Sequence, residues 1–110
     1  MPVRKTIVAM VAMFMFAVGV AEATPPNVVP NIKTRCAVKW PGDYRLQDYC
    51  RKRQMSAADW VIQREASAHT SVQREIIAGC FTKWTDANGP DWQLVKYCTE
   101  KQTEAYNRLN

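Results

Sequence analysis

The sequence predicts an all-α domain built from two pseudo-repeated helical hairpins, each clipped by a disulfide. Three observations predict it: a segment that occurs twice, cysteines placed alike in both copies, and apolar residues recurring at helical spacing. The stretch "CAVKWPGDYRLQDYCRKRQMSA" (Cys36–Ala57) returns as "CFTKWTDANGPDWQLVKYCTEKQTEA" (Cys80–Ala105). Aligned on Cys50 and Cys98, the copies share an Asp-aromatic pair (Asp43-Tyr44, Asp91-Trp92), then Leu, Tyr-Cys, Gln and Ala without a gap. Upstream, Cys36-x-x-Lys39-Trp40 matches Cys80-x-x-Lys83-Trp84, and the intervening connection is four residues longer in the second copy.

The chain has 110 residues. Its first 23 read as an export signal: Arg4 and Lys5 form a basic start, Ile7 to Val20 an apolar run, and Ala21-Glu22-Ala23 a cleavage site before Thr24. The apolar run of about 14 residues is shorter than the roughly 20 a spanning helix needs, which favours cleavage over anchorage. The expectation is a mature form, residues 24–110, that is not membrane-spanning and is periplasmic or secreted. Repeat one is expected over about 27–66 and repeat two over about 71–109. Without Arg4, Lys5 and Glu22 the chain keeps 13 basic and 9 acidic residues, a net charge of +4. That balance favours anionic contacts weakly, with charges of both signs interspersed.

Each element follows from local signals. The spacing predicts helices near 28–40, 44–66, 72–86 and 92–108. Leu46, Cys50, Ala57 and Val61 form one stripe, and Leu94, Cys98, Ala105 and Leu109 its counterpart. Val72, Ile76, Cys80 and Trp84 form a third. Asp43 and Asp91 stand where a carboxylate caps a first helical turn, Ser71 is placed to cap the third helix, and Asn27 holds the matching place in the first. The segment Ala66 to Thr70 separates the copies.

Cysteine placement then selects a pairing. Cys36 and Cys50 each lie seven residues from Asp43, so in an antiparallel hairpin they become neighbours. Cys80 and Cys98 flank the second turn in the same way. Four cysteines in an exported chain favour two disulfides. Their intervals of 13, 29 and 17 residues do not form the closely spaced pairs of a structural zinc site, so no metal and no cofactor is expected.

Chemical signals are sparse. His69 is the sole histidine, and no Gly-x-Ser-x-Gly elbow accompanies it, so the expectation is a protein that is not an enzyme. The alternative is a small periplasmic enzyme using His69 with a carboxylate; a secreted membrane-active effector is a third reading. Tyr49, Tyr97, Trp40 and Trp84 recur in both copies and are expected to close the hairpin ends around the disulfides. Trp60 has Arg108 as its counterpart, and Arg51-Lys52-Arg53 is replaced by Thr99-Glu100-Lys101. These departures make Trp60, Arg51, Lys52 and Arg53 the candidate binding residues. No nucleic-acid recognition motif is present. The expected partner is an envelope protein or an anionic envelope component.

The pieces "KWPGDYRLQDYCRKRQMSA" and "KWTDANGPDWQLVKYCTEKQTEA" resemble a pattern in small exported bacterial proteins, where Trp and an Asp-aromatic pair precede Tyr-Cys, Gln and Ala. The resemblance covers about two thirds of the mature chain and implies export; it assigns no catalytic or binding residues. Exported helical immunity proteins and envelope inhibitors are similar in size, signal and disulfides alone.

Overall fold

The computed structural model describes residues 27–110. The expected export signal and cleavage point lie outside them. The described chain forms α1 (Val28–Lys39), α2 (Tyr44–Ala66), α3 (Ser71–Lys83) and α4 (Trp92–Leu109). A two-residue ladder, β1 (Thr85–Asp86) against β2 (Gly89–Pro90), interrupts the connection between α3 and α4. No described helix is long and apolar enough to cross a membrane.

Both expected carboxylate caps are made. Leu46 N donates to Asp43 Oδ1 at 3.0 Å and Leu94 N to Asp91 Oδ1 at 3.4 Å. The third helix differs from expectation at both ends. Thr70 caps it in place of Ser71: its hydroxyl accepts from Gln73 N, while Gln73 Oε1 accepts from Thr70 N and, at 2.7 Å, from His69 N. That reciprocal box satisfies donors which a serine one residue later would leave open. At its far end the helix stops at Lys83, and the chain leaves through Trp84 into β1 at Thr85; the return into β2 is made at Gly89, whose φ of +93° is a left-handed value. Asn27 occupies the cap position of α1 but makes no side-chain cap bond.

The disulfides pair as expected, Cys36 with Cys50 and Cys80 with Cys98, each with Cα atoms 5.7 Å apart. Closing loops of 14 and 18 residues, each contributes on the order of 3 kcal/mol by restricting the unfolded chain. All four sulfurs are consumed, so none is a thiolate available to a metal. The two connections close alike despite their unequal length. Asp43 N donates to Trp40 O at 3.2 Å, and Asp91 N to Trp84 O at 2.8 Å. The β-ladder loops out the extra residues between Trp84 and Asp91 and leaves the closing bond intact.

One core serves both hairpins. Val28, Ile32 and Cys36 of α1 meet Cys50, Ala57, Ala58 and Val61 of α2, with Ile77 and Cys80 of α3 and Trp92 and Val95 of α4. The small side chains of Ala57 and Ala58 permit close approach of the helices around α2. The buried stripe of α4 departs from the expected one. Leu94 is exposed and Leu109 is 84% exposed, whereas Trp92, Val95 and Thr99 are buried. With about 100° between successive residues, Cys98 and Leu94 lie roughly a quarter turn away from Val95 and Thr99. The disulfide turns the first pair toward α3, and the second pair meets the shared core.

The hairpins are joined by polar contacts that the sequence motif does not announce. Gln54 is 3% exposed; its Nε2 donates to Asp91 Oδ1 at 2.9 Å and its Oε1 accepts from Trp92 N at 2.8 Å. Arg35, on α1, donates to Gly89 O at 2.7 Å, Pro90 O at 3.1 Å and Asp86 Oδ1 at 2.6 Å, and lies 3.7 Å from Asp91 Oδ2. Gly89 packs so closely on α1 that a Cβ there would lie 3.0 Å from Asn31 Cβ. Gln54 and Arg35 therefore hold the start of α4 and the β-ladder against α1 and α2.

Two tests follow from this joint. Gln54→Ala strands a buried amide and carboxylate oxygen and should cost about 2 kcal/mol in denaturant unfolding. Gln102→Ala, at the equivalent but exposed position, should stay within about 0.5 kcal/mol. The Arg35 guanidinium, with help from Asn88 N, holds the Asp86 carboxyl below its ordinary value. A depressed folded-state value gives stability that is present above the unfolded carboxylate range and is lost as pH falls through the folded value. The Tm gap between the parent and Asp86→Asn should therefore be open at neutral pH and close progressively below about pH 4.

Candidate functional site

Helical geometry divides the predicted binding residues between two flanks of α2. The core side carries Cys50, Gln54, Ala57, Ala58 and Val61. At about 100° per residue, Tyr49, Arg53 and Trp60 fall together on one flank, with Lys52 and Ser56 farther out. Arg51 falls on the opposite flank and is exposed. The consecutive basic run is thus split. Lys52, Arg53 and Trp60 share one side of the helix, and Arg51 lies on the other.

On that flank α2 and α4 enclose a groove of about 500 Å³. Tyr49, Lys52, Arg53 and Ser56 line one wall, and Gln93, Lys96, Tyr97 and Glu100 the other. Its centre is Arg53. Nη1 donates to Tyr49 Oη at 2.8 Å, and the guanidinium stacks 5.4 Å from the Tyr49 ring centroid. Gln93, with its amide oxygen toward α2, accepts from Arg53 Nη2 at 2.9 Å and Nε at 2.7 Å. A guanidinium held by a phenol and an amide is fixed in direction but keeps its full charge, since neither partner is an anion.

The remaining cations are arranged around it. Lys52 pairs with Asp48 at 2.8 Å one turn back on the exposed face. Lys96 Nζ lies 5.6 Å from the Trp60 ring centroid, and the Arg64 guanidinium covers the same ring at 4.4 Å. Trp60 is half-buried at the edge of the core, a platform with two cations on it. Tyr97 has its own cation, Lys101, at 5.6 Å. Glu100 is the only acidic side chain among the lining residues, so the groove presents a net positive field.

One further expectation is changed by the structure. Trp40 and Trp84 pack half-buried against the core beside the disulfides, but Tyr49 and Tyr97 are 57% and 58% exposed. The tyrosines flank the groove and do not wrap the disulfides, because their neighbours Cys50 and Cys98 take the inward position. His69 is exposed in the α2–α3 connection, and among the described residues its imidazole makes no hydrogen bond or ion pair with a carboxylate. The sequence reading missed Lys96, Gln93 and Arg64. Gln93 was legible in one respect: it lies one turn before Tyr97, the position that matches Tyr49 in the sequence, whereas Lys96 directly precedes that tyrosine.

No protein-family model matches the chain, and no match was found among curated proteins or solved structures. The site's own chemistry carries the functional reading. Removing the Tyr49 hydroxyl should free Arg53: Tyr49→Phe is expected to broaden the Arg53 Nε–H resonance in NMR spectra while shifting Tm by less than about 2 °C, as an exposed hydroxyl contributes little.

Proposed function

We propose that this chain is an exported, non-enzymatic interaction protein whose α2–α4 groove binds an anionic envelope component. The observation that carries the reading is the groove itself, in which Arg53, Lys52 and Lys96 converge between Tyr49 and Tyr97. A fixed guanidinium offers directed hydrogen bonds to phosphate or carboxylate oxygens, and flexible lysines add attraction over a Debye length. Paired cysteines suit an oxidising compartment, which supports the export read from residues 1–23. An internal duplication is part of the same reading: one hairpin leaves an apolar side uncovered, and the second covers it while placing its own tyrosine opposite the first.

The test uses vesicles of phosphatidylglycerol, with phosphatidylcholine as the neutral control. The parent should bind the anionic vesicles, with log affinity falling linearly in log salt. Lys52→Ala/Arg53→Ala/Lys96→Ala should weaken binding at least about tenfold, since each cation near such a surface is worth about 1 kcal/mol. A control of equal charge, Lys33→Ala/Arg45→Ala/Arg108→Ala, changes exposed positions outside the groove and should cost much less. Equal losses in the two triple variants would reduce the effect to net charge and remove the groove as the site.

A further inference from the structure

The two disulfides hold equivalent places in the repeat but meet solvent unequally. Cys36 is 0% exposed and Cys50 is buried beside it, so the first bond is enclosed. Of the second pair Cys80 is buried, whereas Cys98 is only half-buried. Both border a hollow of about 330 Å³ between α3 and α4. Gly79 stands on its wall, at the position that Arg35 holds in the first hairpin, and a Cβ built on Gly79 would meet nothing within 4 Å. The glycine thus leaves an approach to the second bond open. Lys83 and Glu75 on the same wall carry opposite charges, so the hollow turns away neither sign of reagent.

The helix tied by this bond takes no part in the polar joint between the hairpins. α3 packs chiefly on α4 and lightly on α2. Gln54, Arg35 and Asp91 hold α4 and the β-ladder to α2 and α1 without a residue of α3. Through Ile77 and Phe81, α3 forms one wall of an apolar cleft on the other side of α2, shared with Val28, Val61 and Trp92. Without the bond from Cys80 to Cys98, that wall is held by apolar packing and by the connections at its two ends.

We propose that Cys80 and Cys98 form a redox-exchange site, opened by a dithiol that attacks at Cys98, and that its opening releases α3 while α1, α2 and α4 stay joined. The attacking thiolate bonds to Cys98 Sγ, and the electron pair of the broken disulfide leaves on Cys80 Sγ, which takes up a proton. The second thiol of the reductant then displaces Cys98 from the mixed disulfide. The reductant ends as its own disulfide, and the protein has gained two electrons and two protons. Access decides which bond reacts, and the enclosed bond of the first hairpin offers none. The switch is independent of the cationic groove, whose walls belong to α2 and α4.

The probe is dithiothreitol, added to the folded, oxidised protein without denaturant and followed by quenched alkylation and peptide mapping. Cys80 and Cys98 should become alkylated at least about tenfold faster than Cys36 and Cys50, since access sets the exchange rate. Gly79→Trp starts from an exposed position with open space around it, so it should slow alkylation of Cys80 and Cys98 at least about fivefold and leave the rate at Cys36 and Cys50 unchanged. Hydrogen exchange on Cys80→Ala/Cys98→Ala reads the consequence: amides of α3 around Ile76 and Ile77 should lose protection while those of Cys50 and Val95 retain it. Equal reduction rates at the two bonds overturn the proposal, because reduction then waits on unfolding of the whole domain. An undiminished rate in a folded Gly79→Trp overturns it as well. Protection unchanged along α3, or lost throughout the domain, rejects the release of α3.

Discussion

The carboxylate of Asp91 is the point on which the two hairpins depend. It caps its own helix, accepts a hydrogen bond from Gln54 of α2, and stands 3.7 Å from Arg35 of α1. Each bond has a local rationale, but their convergence is tertiary. A capping aspartate needs only solvent and one or two amides, as Asp43 shows in the first hairpin. Asp91 uses its remaining acceptor capacity on the other hairpin, so the same residue type terminates one turn and joins two halves of a domain.

That joint sets the geometry of both surfaces. With Gln54 bound to the start of α4, the next positions along that helix, Gln93 and Lys96, are drawn alongside Arg53 and Trp60 of α2. The cationic groove forms on that flank. On the other, Arg35 holds Gly89 and Pro90 against α1, which closes the far wall of the apolar cleft beside Trp92. Disulfides alone would not achieve this arrangement. Each one staples a hairpin internally, and neither crosses between hairpins.

The sequence exposes its local rules more readily than its contacts across hairpins. Helix boundaries, the Asp43 and Asp91 caps and both cysteine pairs were legible because each depends on spacing within a few turns of chain. The stop of α3 at Lys83 was not, because Gly89 and Pro90 serve a ladder stabilised largely by Arg35, a residue far away in the chain whose counterpart is Gly79. Gln54 and Gln102 illustrate the limit most clearly. They are equivalent in the motif, yet one is buried at a junction and the other is exposed, since only α2 passes the start of the other hairpin. In the candidate site, the departures from the repeat include Lys52 and Arg53, which line the groove, and Trp60, which lies on the same flank of α2 under Lys96 and Arg64. Arg51 was carried along by adjacency in the sequence, and adjacent helical residues point about 100° apart.

Whether Gln54 and Asp91 bind the two halves into one cooperative unit can be read from hydrogen exchange at the Trp92 amide. Trp92 opens α4, and first-turn amides have no partner within their own helix, so an isolated helix start exchanges at nearly the rate of free peptide. Here the amide donates to buried Gln54 Oε1 at 2.8 Å. The expected result is protection approaching that of Val95 in the core, released only by unfolding of the whole domain. Exchange at Trp92 as fast as at the exposed start of α2, around Tyr44, would contradict it and leave two hairpins held together by apolar packing alone.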